Sequence, residues 1–201
     1  VIVFPAANFS FDITGFSGCS PISVSMPLIP GVANYQWDFG DGSTSNAALP
    51  SHLFETTALA DTFQVQFSGT SVFGCTGTAQ SQIIVLGSPN ADFSINTNQA
   101  CEPAEVVFNN NSTQVESYHW DFQDGTTSTS TDSVLTHTFS APGDFVTQYA
   151  IELITTASNG CTDTSFTNFT LHPQSVAQFN PSLSESCAPF NCLFQNTSTG
   201  A

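Results

Sequence analysis

Asn34-Tyr35-Gln36-Trp37-Asp38-Phe39-Gly40-Asp41-Gly42 returns later in the chain as Ser117-Tyr118-His119-Trp120-Asp121-Phe122-Gln123-Asp124-Gly125. Trp120 stands 83 positions after Trp37, and other landmarks return at similar offsets: Cys101 is 82 after Cys19, His137 is 85 after His52, and Cys161 is 86 after Cys75. Self-similarity at one period is the mark of repeated structural units. A third start lies near the end, where Cys187-Ala188-Pro189, Phe194 and Asn196-Thr197-Ser198 align with Cys101-Glu102-Pro103, Phe108 and Asn110-Asn111-Ser112. At the beginning, Val1-Ile2-Val3-Phe4-Pro5 leading into Asn8-Phe9-Ser10 matches Ile83-Ile84-Val85-Leu86 leading into Asp92-Phe93-Ser94. The division predicted is the last strand of a preceding repeat over 1–5, whole repeats over 6–87 and 88–173, and the start of a third over 174–201. The chain reads as a window onto a longer array.

Each repeat reads as all-β. Thr62-Phe63-Gln64-Val65-Gln66-Phe67 and Tyr35-Gln36-Trp37-Asp38-Phe39 alternate apolar with polar, the period of a half-buried strand. Asp41-Gly42, Pro142-Gly143 and Asn159-Gly160 punctuate such segments as turns. About seven short strands per repeat predict a β-sandwich.

Composition narrows the function classes. Of 201 residues, 16 are acidic and none is Lys or Arg, giving a formal net charge of -16. Without a basic residue there is no P-loop lysine, no Schiff-base amine and no basic face for nucleic acid. Lys–Asn isopeptide cross-links and polybasic adsorption to anionic lipid are excluded too. Hydrophobic residues reach 40%, with 19 Phe, so the chain is no disordered acidic tail. No apolar run is long enough to predict membrane insertion, and Val1-Ile2-Val3-Phe4-Pro5 lacks the basic start of a signal peptide. The expectation is mature, soluble, extracellular material.

Trp37-Asp38-Phe39-Gly40-Asp41-Gly42-Ser43-Thr44-Ser45, with His52-Leu53-Phe54 and Phe63-x-Val65-x-Phe67 after it, resembles the PKD domain, an immunoglobulin-like sandwich. The second copy, with His137-Thr138-Phe139 and Gly143-Asp144-Phe145-x-Thr147, matches also, but has Gln123 where the family usually has Gly. The added Cys-x-Pro before the second strand and Gly-Cys after the sixth resemble the PKD repeats of very long bacterial surface adhesins, some of them secreted gliding-motility proteins.

Tyr35, Trp37 and Phe39 share one strand face, as do Tyr118, Trp120 and Phe122. Their expected place is the sandwich core; an aromatic platform for sugar would need them on the outer face, where Gln36 and Asp38 stand. Asp38 with Asp41, and Asp121 with Asp124, flank a tight turn. They are expected to cap its backbone amides, with Ca²⁺ as the alternative, since that ion takes oxygen ligands from flexible loops. His52 and His137 share one repeat position and read as scaffold, while His119 and His172 have no equivalents. No nucleophile elbow or zinc motif is present, so no catalytic residue and no enzyme is expected. Asn8, Asn110, Asn111, Asn168 and Asn196 fit the N-glycosylation pattern, and Ser133 resembles an O-glycan acceptor of bacterial surface proteins.

Six cysteines in an extracellular chain favour disulfides. Pairing within a repeat would join Cys19 to Cys75 and Cys101 to Cys161. In the immunoglobulin-like sandwich that the resemblance implies, however, the start of strand two and the last hairpin lie at opposite ends, about 20 Å apart. A disulfide needs Cα atoms within about 7 Å. A head-to-tail array would bring Cys19 to Cys161 and leave Cys75 and Cys101 to pair with repeats outside the chain. Intra-repeat bonds and free thiols stay open as alternatives. Cys192, at the place of Val24 and Val106, reads as a buried thiol or a partner of Cys187.

The functional expectation is a structural and adhesive segment of a long secreted cell-surface filament, stapled between repeats. Its partners would be neighbouring repeats, other filament subunits, and an unidentified surface glycan or protein. Two alternatives stand beside it: an accessory binding module of a secreted polysaccharide- or protein-degrading enzyme, and a calcium-rigidified S-layer or cell-wall component.

Overall fold

The computed structural model describes residues 7–140, 143, 145–182, 185 and 188–199. The strand expected over residues 1–5 lies outside them, as does Cys187. The described residues are all β, in two compact units. One unit holds the residues through Pro89 together with Ala157–Thr162; the other holds Asn90–Thr156 and the residues from Asp163 onward.

In the first unit β1 (Ser17–Cys19), β3 (Val32–Asp38), β4 (Thr44–Ser45), β6 (Ala60–Ser71) and β7 (Thr76–Leu86) form a sheet of order β1-β7-β6-β3-β4. β2 (Ile22–Ser25) and β5 (Ser51–Phe54) form the facing sheet. Strand geometry sends successive side chains to opposite faces, and the alternating sequence of β6 uses it: Val65 and Phe67 are buried while Gln64 and Gln66 are exposed. Trp37, Val65, Phe67, Ile83 and Val85 from one sheet meet Val24 and Phe54 from the other in a single core. That is a β-sandwich.

The second unit repeats the plan. β9 (Gln99–Cys101), β11 (Ser117–Asp121), β12 (Thr127–Ser128), β14 (Thr147–Thr156) and β15 (Thr162–His172) are ordered β12-β11-β14-β15-β9. β8 (Phe93–Ile95), β10 (Ala104–Asn110) and β13 (Val134–Phe139) make the other sheet, with β10 central. Phe93, Phe108, Trp120, Phe122, Phe139 and Phe169 are among the residues filling the core.

Among its described residues the first unit has no strand equivalent to β8, and β2 is four residues where β10 is seven. Proline explains it. Pro27 stands where β10 has Asn109, which still pairs, with Pro30 three residues on, and a proline offers no N–H to a ladder. Phe9, Phe11 and Ile13 still pack on the core, without pairing as a strand.

At the end of the chain β16 (Phe179–Pro181) pairs antiparallel with β17 (Phe194–Asn196) in the register that joins β8 to β10, with Phe179 opposite Asn196 as Phe93 is opposite Asn110. Phe93 and Phe108 lie under Trp120, with ring centroids 5.1 and 5.8 Å from it. Phe179 and Phe194 touch each other but are 62% and 67% exposed. Cys192, expected to be buried like Val24 and Val106, is for the same reason only half-buried. No strand among the described residues covers that face.

Gln123, the departure noted in the second motif, takes φ 61°, the left-handed conformation that Gly40 takes at φ 83°. A side chain there costs about 1 kcal/mol. Gly40 has a further reason to be glycine, since a Cβ would come within 2.6 Å of the Gln64 carbonyl oxygen. Gln123→Gly is expected to stabilise the protein by about 0.5–1 kcal/mol, and Gly40→Gln to destabilise it by more. Urea midpoints of the two variants check both signs.

Candidate functional site

Two constructions stand out above the common scaffold. The first is the turn after each motif strand. β3 ends at Asp38, and the chain reverses so that the Phe39 amide donates to the Ser43 carbonyl at 3.1 Å. Asp38 Oδ1 accepts the Gly40 amide at 2.9 Å, and Asp41 Oδ1 accepts the Ser43 amide at 2.9 Å and the Ser43 hydroxyl at 2.5 Å. Asp41 Oδ2 lies 2.7 Å from His52 Nε2. The imidazole, held on β5, stacks on Phe39 at 4.1 Å and meets Phe54 edge-on at 4.6 Å. The second unit rebuilds every contact. Asp121 accepts from Gln123 at 2.8 Å, Asp124 accepts from Thr126 at 2.9 and 2.5 Å, and His137 lies 2.7 Å from Asp124 and 4.0 Å from Phe122.

The four aspartates therefore hold their own turns. No group of three or more His, Cys, Asp or Glu side chains that could hold a metal ion occurs among the described residues. Trp37 and Trp120 are fully buried, Phe39 and Phe122 nearly so, and Tyr35 and Tyr118 are packed against the same cores. Those rings are inside and present no platform. Trp37 Nε1 donates to the Ala47 carbonyl at 3.2 Å, whereas Trp120 Nε1 is buried with no acceptor among the described residues.

The imidazole–carboxylate pair was not legible in the sequence. The only signal was that His52 and His137 recur with the turn aspartates. Burial works to raise the Asp41 carboxyl, but hydrogen bonds from Ser43 and His52 outweigh it and hold the group at about 2. Asp124 is lowered in the same way, burial again being outweighed by Thr126 and His137. A carboxyl that titrates lower when folded contributes stability above its unfolded value of 3.8 and loses it as pH falls toward about 2. Asp41→Asn is expected to be less stable at neutral pH and to lose less on acidification from about pH 5 to 2. Thermal melts across that range check the crossing slopes.

The second construction is the edge carrying Cys19. β1 runs parallel to the end of β7, with Cys19 opposite Leu86, and the Ser20 amide donates to the Leu86 carbonyl at 2.7 Å. Cys19 is bonded to Cys161, their Cα atoms 5.7 Å apart. Cys161 and Ala157 are 1% and 3% exposed. Asn159 Nδ2 donates to two main-chain carbonyls, Gly87 at 2.8 Å and Leu59 at 3.0 Å, while its Oδ1 accepts the Cys161 amide at 3.0 Å. Sequence reasoning took Asn159-Gly160 only as a turn. The clue was that the equivalent hairpin reads Phe73-Gly74.

Pairing of Cys19 with Cys75 fails on reach by a wider margin than expected. Cys19 is opposite Leu86, at one end of β7, and Cys75 precedes Thr76 at the other. Some ten residues of strand span roughly 33 Å. Cys75 and Cys101 carry unpaired thiols among the described residues. Of the expected glycan acceptors, Asn8, Asn111, Asn168, Asn196 and Ser133 are exposed, while Asn110 is half-buried and accepts the Ser112 amide. Removing the Asn159 amide takes two donors from the seat, each worth about 1 kcal/mol. Asn159→Ala is thus expected to make the Cys19–Cys161 bond roughly tenfold or more easier to reduce, read from a glutathione redox titration.

A family model described as PKD domain matches residues 87–171. No sequence among the curated proteins matches the chain. Among solved structures, the chain is similar to the PKD1 domain of the Vibrio cholerae metalloprotease PrtV, at 26% identity over 42% of this chain and 96% of that one, with a TM-score of 0.35. It is similar to the PKD1 domain of Vibrio anguillarum Epp, at 24% identity over 43% and 96%, TM-score 0.34. Murine CEACAM1b is similar at 10% identity over 83% of this chain and all of that one, TM-score 0.34. Residues 87–171 thus carry the PKD match, in a chain that is all-β throughout its described residues.

Proposed function

We propose that the chain is a structural and adhesive segment of a long extracellular surface filament, built from tandem PKD-like modules over 6–87 and 88–173, with a third beginning at 174. The observation that carries this is the Cys19–Cys161 bond, which closes residues 142 apart in sequence at one edge of a sheet. Both units spend their distinctive residues on scaffold, and the aspartates on their turns, so neither an active site nor Ca²⁺ is part of the reading. A disulfide across a loop of that length adds up to about 5 kcal/mol by restricting the unfolded chain. It also bars the loop from extending under load. An acidic surface with no cation of its own keeps copies apart beyond contact, over about 8 Å in physiological salt.

Single-molecule extension tests the mechanical part. Oxidised chain is expected to release only the residues outside the Cys19–Cys161 loop. Reduced chain is expected to release about 500 Å more, from 142 residues at roughly 3.5 Å each. Equal release in both states removes the reading. Retention of the isolated chain on chitin, cellulose or collagen would favour the accessory-module alternative instead.

A further inference from the structure

Asn159-Gly160 is the one Asn-Gly pair in the sequence. Such a pair carries a reaction within itself. A main-chain nitrogen follows directly on a side-chain carboxamide, and glycine, having no Cβ, leaves that nitrogen free to swing onto the carboxamide carbon. In the structure every polar atom the reaction needs is engaged. The Gly160 amide donates to the Ala157 carbonyl at 2.9 Å. Asn159 Oδ1 accepts the Cys161 amide at 3.0 Å, and Nδ2 donates to the carbonyls of Gly87 at 2.8 Å and Leu59 at 3.0 Å.

The turn itself does not require an asparagine. The hairpin between β6 and β7 closes with the Ser71 amide on the Cys75 carbonyl at 2.8 Å and the Gly74 amide on the Ser71 carbonyl at 2.9 Å. The later hairpin closes with Ala157 on Cys161 and Gly160 on Ala157 at the same two distances. Gly74 and Gly160 take φ 83° and 87°. In the earlier turn the Ser71 hydroxyl oxygen accepts the Cys75 amide, at 3.1 Å, where the later one uses Asn159 Oδ1. What Asn159 adds is the pair of bonds from Nδ2, and both run to the edge that carries Cys19. Gly87 follows Leu86, which lies opposite Cys19, and the Gly87 amide is bonded to Leu59. Carboxamide and disulfide therefore hold one hairpin on one edge, and what the seat adds to the bond, the bond adds to the seat.

We propose that Asn159 is a deamidation site gated by the Cys19–Cys161 disulfide. With the bond intact the side chain stays seated and its amide is inert. With the bond reduced the side chain is released, loses its amide and can no longer take the seat. The site stands on the geometry of the seat alone, whether or not the chain bears load.

Reduction by a small thiol is two exchanges. One reductant thiolate attacks a sulfur and expels a cysteine thiolate, and a second attacks the mixed disulfide and expels the other. Two cysteine thiols and the reductant's disulfide result. The freed Gly160 nitrogen then attacks Asn159 Cγ as its proton passes to water, the Cγ–Nδ2 bond breaks, and ammonia leaves behind a succinimide ring. Water adds to either ring carbonyl and opens it, to aspartate or to isoaspartate. In sum a carboxamide and water become a carboxylic acid and ammonia, with no change of oxidation state. Aspartate has no N–H for Gly87 and Leu59 and sets carboxylate oxygens against their carbonyl oxygens, which leaves acceptors facing acceptors. Isoaspartate puts Cβ into the main chain of the tip and displaces Cys161 from its partner. The staple is single-use.

The test incubates the whole chain in mildly alkaline buffer with and without a thiol reductant. Chymotryptic peptides are then mapped by mass, and isoaspartate is read with its methyltransferase. Asn159 is expected to deamidate roughly tenfold or more faster in the reduced chain than in the oxidised one. Cys19→Ser should reach the reduced rate with no reductant present, near-UV dichroism of the buried tryptophans reporting that it is folded. Asn159→Asp reproduces the product and decides the question without that variant: in a glutathione redox titration its Cys19–Cys161 bond should be easier to reduce than that of Asn159→Ala. Equal deamidation in oxidised and reduced chains, an amide that survives reduction, or an Asn159→Asp bond as hard to reduce as wild type overturns the proposal. None of those outcomes alters the force-extension result, which decides the mechanical reading separately.

Discussion

With no lysine and no arginine in 201 residues, 16 carboxylates must find partners among amides, hydroxyls and imidazoles. The rest of the structure is arranged around that constraint. Asp38, Asp41, Asp121 and Asp124 each accept the amide two residues on and thereby close a turn. Two of the four histidines then complete the pairing, and each lies flat on the phenylalanine of its own turn. One imidazole thus joins a carboxylate to the aromatic core. Cohesion that other domains share with Lys and Arg ion pairs falls, among the described residues, to buried rings and the Cys19–Cys161 disulfide. Surface ion pairs are worth little in any case, about 0–1 kcal/mol, so their absence costs the fold less than the composition first suggests.

How much could be read in advance follows from the range of each interaction. Alternation in β6 and β3 was legible because a strand's burial pattern has a period of two and is written in consecutive residues. The lost strand before β2 was also written locally, in Pro27 and Pro30, but only comparison with the paired β8 gives those prolines that meaning. The His52–Asp41 pair joins the turn after β3 to β5 of the facing sheet, and nothing within either segment announces it. The Asn159 seat was less legible still, since its acceptors Leu59 and Gly87 lie 100 and 72 positions away and are main-chain carbonyls that any residue could supply.

Cysteine placement was readable for a different reason. Reach along a sandwich depends on which end of a strand a residue occupies, and the immunoglobulin-like fold that the resemblance implies is enough to state that. The register then sharpens it: Cys19 beside Leu86 and Cys75 before Thr76 are separated by nearly the full length of β7. What strand order could not supply is the degree of exposure. Cys192 occupies an inward-facing position, yet the sheet that would cover it is missing from the described residues, and inward is not the same as buried.

The edge at Cys19 divides its labour between covalent and polar parts. A disulfide fixes separation but leaves rotation about its bonds. Asn159 adds two further points of attachment by bridging the carbonyls of Leu59 and Gly87, which lie on neighbouring segments already tied by the Gly87 amide to the Leu59 carbonyl at 3.0 Å. Cys161 is bonded to the end of β1, which is laddered in parallel to β7, and β7 is paired along its whole length with β6. β6 in turn pairs with β3, which carries Trp37 of the core. On the proposed reading of the chain as a load-bearing segment, a pull on the bond would be shared by the whole paired sheet rather than taken by one hairpin.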